Sequence, residues 1–254
     1  AEAIEIGQLD VDGVRAYLQS PDTVARVLSR TGGSPEAISL LLEGDPLTPD
    51  ARVERRVHSL CAGTRTLVEA LAVLERPADI EMIGRVAGQA LGRDSHRELD
   101  ACELVTRSIV DGSILFSFAR ESERERAYAL LSEDRRRDLH ARCIDEYVTR
   151  QGREEDAAKH ALAAFDLDRL VPLALDASRS LAASHAQGEA AALLERVVAL
   201  IPEGPIELRE QLSELYRAAG DYKRGIAHAE AVRESAPASA SATRRVGELL
   251  TLAG

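Results

Sequence analysis

Residues 206–237 read IELREQLSELYRAAGDYKRGIAHAEAVRESAP, and this stretch decides the fold of the chain. Leu212 and Tyr216 lie on one face of a predicted helix, and Gly-Asp-Tyr at 220–222 is typical of a tight turn. A second predicted helix follows and ends before Pro237. Two such helices can bury their apolar faces only on neighbouring hairpins, so the stretch predicts one unit of a stacked array.

The same pattern returns 34 residues later in the chain. Three positions recur at this spacing: Leu212 as Val246, Tyr216 as Leu250, and Gly220 as Gly254. This is the period of the tetratricopeptide repeat, which residues 206–237 resemble, although Arg209 stands where that family prefers tryptophan. Pro202 lies 35 residues before Pro237 and extends the resemblance to two and a half units. An unrelated helical array would predict the same antiparallel hairpins.

Helical spacing of apolar residues runs from Arg120 to the end of the chain. The predicted helices lie near 121–131, 133–149, 154–165, 167–182, 187–200, 205–219, 222–235 and 239–253. We therefore assign residues 119–254 to helical hairpins and tetratricopeptide-like repeats, truncated at the C terminus. The last helix is expected to expose an apolar face through Val246, Leu249 and Leu250.

Composition favours a mostly α protein. Of the 254 residues 45% are hydrophobic but only 3% are aromatic, so the cores must be built from Leu, Val, Ile and Ala. The net charge of −11 argues against binding to a phosphate backbone. Cys61, Cys102 and Cys143 are odd in number and far apart, and we expect them to be buried thiols in a reducing compartment. No run reaches the ~18 apolar residues of a membrane span, and we expect a cytoplasmic protein.

Residues 51–118 form the middle segment, in which three helical patterns precede a β ribbon. The first pattern runs from Val53 to Leu74, the second from Ile80 to Val86, and the third from Ser95 to Ser108. Asp-Gly at 111–112 between two apolar runs is a strong hairpin signal. Three helices and a ribbon predict a winged-helix-like connector.

Direct DNA binding by this connector is not expected. The third helical pattern carries His96, Arg97 and Arg107, but three carboxylates share it: Glu98, Asp100 and Glu103. On DNA these negatively charged carboxylates would approach the phosphate groups of the backbone, which is unfavourable.

The stretch Thr-Gly-Gly-Ser-Pro at 31–35 lies in the first segment, residues 1–44. Three short helices are predicted here, and Ser34 would cap the third, which begins at Glu36. The stretch resembles the TGG-(N/S)-P segment in the helical lid of signal-transduction ATPases of the STAND class, which include maltose-regulon-type activators and large LuxR-type regulators. By this resemblance residues 1–44 are the end of an ATPase lid, and Gly33 and Pro35 are the positions nearest a bound nucleotide.

A third string follows the β ribbon. Residues 118–128 read FARESERERAY and are similar to the family segment FSHDLVREAVY, which lies between the winged helix and the repeats. Phe118, Arg124, Glu125 and Tyr128 match, whereas Arg120 replaces the histidine. The three strings follow one another in the order that the family has.

The sequence offers no recognisable catalytic constellation, so we expect no enzyme activity in this chain. Lys159 and Lys223 are the two lysines, and neither follows the glycine-rich turn that a P-loop needs. The six histidines are dispersed, with no i, i+4 metal pair. We expect no metal and no cofactor here, while a parent protein would bind ATP or ADP upstream of Ala1.

The predicted function is therefore that of a regulatory, protein-interaction fragment of a signalling ATPase or transcriptional regulator. A protein partner or small inducer would bind the concave face of the repeats, and the upstream nucleotide-binding domain would be a partner in cis. The alternative is a self-contained tetratricopeptide-type adaptor that has no ATPase.

Overall fold

The computed structural model describes Ser34, Ile38 and residues 49–254, apart from Arg93, Gln151 and Ala238. Its described part is mostly helical, which confirms the predicted class. The elements are α1 Pro49–Ser59, α2 Ala62–Leu74, α3 Ile80–Ala87, α4 Ser95–Asp100, β1 Val105–Val110, β2 Ser113–Phe118, α5 Glu121–Ala129, α6 Glu133–Val148, α7 Glu154–Ala164, α8 Leu167–Ala183, α9 Gln187–Leu200, α10 Ile206–Ala219, α11 Tyr222–Ser235 and α12 Ala240–Ala253. Contacts divide the chain into two compact units, one ending at Leu131 and one beginning at Ser132.

Helix α2 is the centre of the first unit. It packs on α1, α3, α4, α5 and β2, and eight of its thirteen residues are buried. Helix α5 belongs to this unit because it packs on α1 and α2, whereas the sequence grouped residues from 119 onwards with the repeats. The largest fully buried side chains around α2 include Leu67, Ile83 and Phe116.

The predicted hairpin is present, and its strands are antiparallel. Val105 pairs with Phe118 at one end and Val110 with Ser113 at the other. Asp111 and Gly112 both have positive φ, 49° and 80°, which is the backbone that a two-residue turn of type I′ requires. A bridge between Ala78 and Phe116 adds a third, isolated pairing on the other edge of β2.

Two of the helical patterns in this unit were predicted with wrong bounds. The third helix, α4, ends at Asp100 instead of Ser108, because residues 105–110 pair with β2. The pattern from Val53 to Leu74 is two helices, since Cys61 is extended (φ −61°, ψ 157°) and precedes the first residue of α2. At this break Cys61 is exposed, which corrects the prediction that all three cysteines are buried; Cys102 and Cys143 are buried, and all three are free thiols.

The second unit is a tetratricopeptide-like stack of antiparallel helices, and helices α6 to α12 each pack on the next. Helix α6 begins at Glu133 and α8 at Leu167, 34 residues later, and the same interval separates the first residues of α10 and α12. The hairpins are α6/α7, α8/α9 and α10/α11, with α12 as a further half. The hairpin pattern therefore extends one hairpin beyond the two and a half units that the sequence indicated, although α10 begins 39 residues after α8.

The second helices of the three hairpins share a small residue at their fourth position. These residues are Ala157 in α7, Ala190 in α9 and Gly225 in α11, and all are buried. A Cβ atom at Gly225 would lie 3.4 Å from Leu249 Cδ2 and 3.4 Å from the Ser213 carbonyl oxygen. The small side chain thus lets neighbouring helices approach closely.

The last helix, α12, differs from the prediction that Val246, Leu249 and Leu250 are all exposed. Val246 and Leu249 are buried in a cluster with Ala229, because that face of α12 packs on α11. Leu250 and Leu252 are the exposed apolar residues, at 53% and 50%. The preceding helix covers more of this face than the sequence indicated.

In the first segment the structure describes Ser34 and Ile38. The Ile38 amide donates to the Ser34 carbonyl oxygen at 3.0 Å, the first i to i−4 bond expected when Ser34 precedes a helix. Ile38 is helical and buried. The rest of residues 1–44 lies outside the described residues, so the predicted lid remnant stays a prediction.

Candidate functional site

A tyrosine stacked on a histidine occurs in two hairpins of the second unit. Tyr147 stacks on His160 in α6/α7, with ring centroids 5.3 Å apart and an interplanar angle of 7°. Tyr216 stacks on His228 in α10/α11, at 5.7 Å and 11°. Each histidine is the seventh residue of the second helix of its hairpin. The two hairpins therefore share the position of the histidine, whereas Tyr147 is the fifteenth residue of α6 and Tyr216 the eleventh of α10.

In the first of these hairpins His160 also contacts a second buried histidine. The Nδ1 atoms of His140 and His160 lie 2.7 Å apart. Both residues are buried, with exposed fractions of 3% for His140 and 6% for His160. Burial lowers the pKa of His140 to about 4, with a contribution from the charge of Arg136. Burial also lowers the pKa of His160 to about 3, with contributions from His140 and Lys159. Both imidazoles are thus neutral at pH 7, and one Nδ1 donates to the other.

In the second hairpin the stacked pair belongs to a polar network. The Tyr216 hydroxyl donates to Glu195 Oε1 at 2.8 Å, and His228 Nε2 lies 3.0 Å from the same oxygen. Arg224 donates to the Tyr216 hydroxyl at 3.2 Å and lies 4.7 Å from the ring centroid. Desolvation, followed by the bond to Glu195, raises the pKa of Tyr216. The network joins α9, α10 and α11 through side chains of three helices.

A pocket of about 400 Å³ opens beside the first stacked pair, between α6, α7 and α8. Its lining contains both apolar and polar side chains. The apolar part consists of Tyr147, Val148, Ala157 and Leu173. The polar part consists of Arg150, Glu154, Asp176 and Ser180. An apolar wall with a few convergent polar groups is the usual composition of a ligand site.

The charged groups of this pocket differ in how far they are neutralised. Arg150 pairs with Glu146 at 3.6 Å, and Asp176 pairs with Arg179 at 2.8 Å. Glu154 Oε1 accepts a hydrogen bond from the backbone amide of Gly152 at 3.2 Å. Within the part of the chain that the structure describes, no arginine or lysine forms an ion pair with Glu154. The pocket therefore presents a carboxylate that is not neutralised by a cation.

The two arginines of the third helical pattern form ion pairs within the first unit. Arg107 donates to Asp100 at 3.1 Å, and Arg97 donates to Asp94 at 3.3 Å. His96 lies against the ring of Phe116, with centroids 5.8 Å apart. These contacts give the cations acidic neighbours, which is unfavourable for phosphate binding.

The string at 118–128 holds α5 against α2. Arg124 NH1 donates to the carbonyl oxygen of Ala72 in the last turn of α2 at 2.9 Å, and Arg124 NH2 donates to Glu121 at 2.6 Å. Hydrogen bonding to Glu121 raises the pKa of Arg124. Glu125, which also matches the family segment, is exposed. The matched arginine therefore has a structural role in this chain.

The histidine pair is not evident from residue spacing within a single helix. His140 and His160 lie 20 residues apart on two helices, and only the hairpin brings them together. The recurrence of histidine at the seventh residue of α7 and α11 is the signal that could have found it. Within residues 49–254, as far as they are described, no group of three histidine, cysteine or acidic side chains is arranged to hold a metal ion.

The predicted nucleotide-proximal residues, Gly33 and Pro35, lie outside the described residues. Their proximity to ATP or ADP in a parent protein stays a prediction. No helix in the described part of the chain is long and apolar enough to cross a bilayer.

Comparisons with known proteins gave one structural likeness. No family model matches the chain, and no curated protein matches it. The chain is similar to the crystal structure of a signal transduction ATPase with numerous domains (STAND) that has a tetratricopeptide repeat sensor, from Pyrococcus horikoshii. The identity is 14% and the TM-score 0.41, and the match covers 89% of this chain. The chain spans 41% of the length of that protein.

Proposed function

We propose that this chain is a regulatory and protein-interaction region of a larger signalling ATPase or transcriptional regulator. The helical hairpins of the second unit bind a partner protein or a small inducer. The first unit acts as a winged-helix-like connector to a nucleotide-binding core that precedes it. The role is binding and relay, without catalysis by this chain.

The observation that carries the proposal is the stack of three and a half hairpins in residues 132–254. Stacked hairpins present a continuous surface built from successive helices, and such surfaces serve for binding in repeat proteins. The 400 Å³ pocket between α6, α7 and α8 is a site on this surface. The order of the three family-like strings supports the assignment to a signalling ATPase.

A relay requires that the ligand binds two states of the protein with different affinity. The first unit has the contacts of a rigid connector, since α2 is buried on several sides and Arg124 joins it to α5. Binding on the repeats would shift the equilibrium of the nucleotide-binding core between a closed and an open state. In this proposal the ATP or ADP site, including the adenine neighbours Gly33 and Pro35, belongs to the parent protein.

Phosphate release from ATP and Mg²⁺ by the purified chain tests the non-catalytic role. We expect a rate equal to that of the heat-denatured chain under the same conditions. Appreciable turnover above this blank would overturn the proposal.

The alternative is a self-contained tetratricopeptide-type adaptor, and the compactness of the second unit favours it. The coding sequence before Ala1 distinguishes the two functions. A P-loop encoded there supports the signalling ATPase, whereas a start codon at that boundary supports the adaptor.

A further inference from the structure

We propose that the pocket between α6, α7 and α8 takes a lysine or arginine side chain of a partner protein. The inference rests on the proposed binding role of the hairpins and names the chemistry of one of their sites. It is carried by three features of the pocket: its volume, its mixed apolar and polar lining, and the charge of Glu154.

The volume and the apolar wall fit a long side chain with an aliphatic stem. Ligand sites generally begin at about 300 Å³, and this pocket has about 400 Å³. Val148 on α6 is 57% exposed, and Leu173 on α8 lines the same pocket. Lysine and arginine bury their methylene groups on such apolar surfaces while the charged end stays at a polar rim.

The polar wall fits a cation. Glu154 accepts one bond from the Gly152 amide, and its charge is not balanced by a neighbouring arginine or lysine in the described residues. Asp176 pairs with Arg179, but its side chain is 54% exposed, so its second oxygen can accept a further bond. A cation that reaches either carboxylate would form charge-assisted hydrogen bonds, which are stronger than neutral ones.

The single cation of the pocket does not make it an anion site. Arg150 pairs with Glu146 on α6, which partly neutralises it. A ligand carboxylate would compete with Glu146 for the guanidinium and would meet Glu154 and Asp176 at the same rim. Electrostatics therefore favour a cationic over an acidic side chain.

The binding test uses the ¹⁵N-labelled full chain and amino-acid amides as probes. The probes are the Nα-acetyl amides of lysine, arginine, norleucine and glutamate, of which norleucine has the lysine stem without its charge. The Gly152 amide is the reporter, because it donates to Glu154, and the Ala157 amide is a second reporter. We expect the lysine and arginine amides to shift both signals saturably, with a dissociation constant of roughly 1–10 mM, and to bind at least about fivefold tighter than norleucine amide.

Matched variants show whether Glu154 is responsible. Glu154→Gln removes the charge and keeps a side chain that can accept from Gly152, and we expect affinity for lysine amide to fall at least about fivefold. Glu155→Gln makes the same charge change on the next residue, which pairs with Lys159 at 2.5 Å and does not line the pocket. That control should change the affinity less than about twofold. Asp176→Asn removes the other carboxylate of the pocket and is also expected to weaken binding of lysine amide. It serves as the test if Glu154→Gln fails to fold.

Three results would overturn the inference: equal binding of norleucine amide, preferred binding of glutamate amide, or no saturable shift at the two reporters. Equal affinities of the Glu154 and Glu155 variants would overturn it as well. None of these results bears on ATP turnover, which tests the proposed function. Conversely, ATP turnover by the chain would overturn the proposed function and leave binding at the pocket measurable.

Discussion

Acid should destabilise the α6/α7 hairpin through the buried pair His140 and His160. In the unfolded chain each imidazole has a pKa of about 6.5. In the folded chain burial lowers these pKa values to about 4 and about 3. Between these limits the unfolded state binds more protons than the folded state, so stability falls as the pH falls. The loss begins near pH 6.5 and levels off near pH 4 for His140 and near pH 3 for His160.

The magnitude follows from the distance between the pH and the unfolded pKa. Each unit of pKa difference corresponds to about 1.4 kcal/mol. At pH 5 the pKa of each imidazole in the unfolded chain is about 1.5 units above the pH. Each histidine therefore contributes about 2 kcal/mol to the loss of folding free energy. The two histidines together account for about 4 kcal/mol between pH 7 and pH 5, a large part of the stability of a small domain.

The test compares the chain with the double variant His140→Ala/His160→Leu. These substitutions copy the equivalent residues of the next hairpin, Ala174 and Leu193, the eighth residue of α8 and the seventh of α9. Hydrogen exchange of α6 and α7, corrected for intrinsic rates, gives the free energy of opening at pH 7 and pH 5. We expect the variant to lose about 4 kcal/mol less than the parent chain over this interval.

A control and a second readout make the outcome decisive. His58→Gln changes an exposed histidine of α1 in the other unit, and it should leave the acid sensitivity of α6 and α7 unchanged. In NMR spectra of the folded parent chain the ring signals of His140 and His160 should titrate below pH 5. The reasoning is refuted if parent and double variant lose the same stability, or if both rings titrate near pH 6.5.

Two further predictions concern stability. Arg124→Ala removes the hydrogen bond to the Ala72 carbonyl oxygen and should lower the free energy of unfolding of the first unit by about 1–2 kcal/mol. The control is Arg97→Ala, which changes a side chain that is 87% exposed and should leave the urea midpoint unchanged. Equal midpoints for both variants would contradict the role of Arg124. Gly220→Ala puts a side chain at φ +77° and should cost about 1–2 kcal/mol in urea unfolding. Its control, Gly247→Ala within α12, meets nothing within 4 Å and should be neutral or stabilising by up to about 1 kcal/mol; a loss as large as that of Gly220→Ala would contradict the strain argument.

The helices of the second unit could be predicted closely from the sequence. Glycine or proline marks the breaks at Gly152, Pro202, Gly220 and Pro237, and the helices have the apolar spacing of a buried stripe. Helix α9 was predicted at its observed bounds, 187–200, and α11 at 222–235. Local signals suffice here because each helix packs mainly on its neighbours along the chain.

The first unit was harder to predict because tertiary contacts override the local pattern there. Residues 101–108 have helical spacing of apolar side chains, but pairing with β2 draws Val105–Val110 into a strand. The break before α2 lacks a glycine or proline: Cys61, an ordinary helix residue, is extended there. The strand depends on residues of β2, which a window of neighbouring residues around 101–108 does not contain.

The histidines at the seventh position of α7 and α11 are not required by the stack itself. In α9 that position is Leu193, buried in a cluster against which Leu181 packs, so two leucines fill the place of the stacked tyrosine and histidine. A buried neutral imidazole makes the hairpin acid-sensitive, and the leucine does not. Positions where a sequence departs from the stabilising choice are expected at functional sites. Tyr147 meets this expectation, because its ring stacks on His160 and also lines the pocket to which we assign a lysine or arginine side chain.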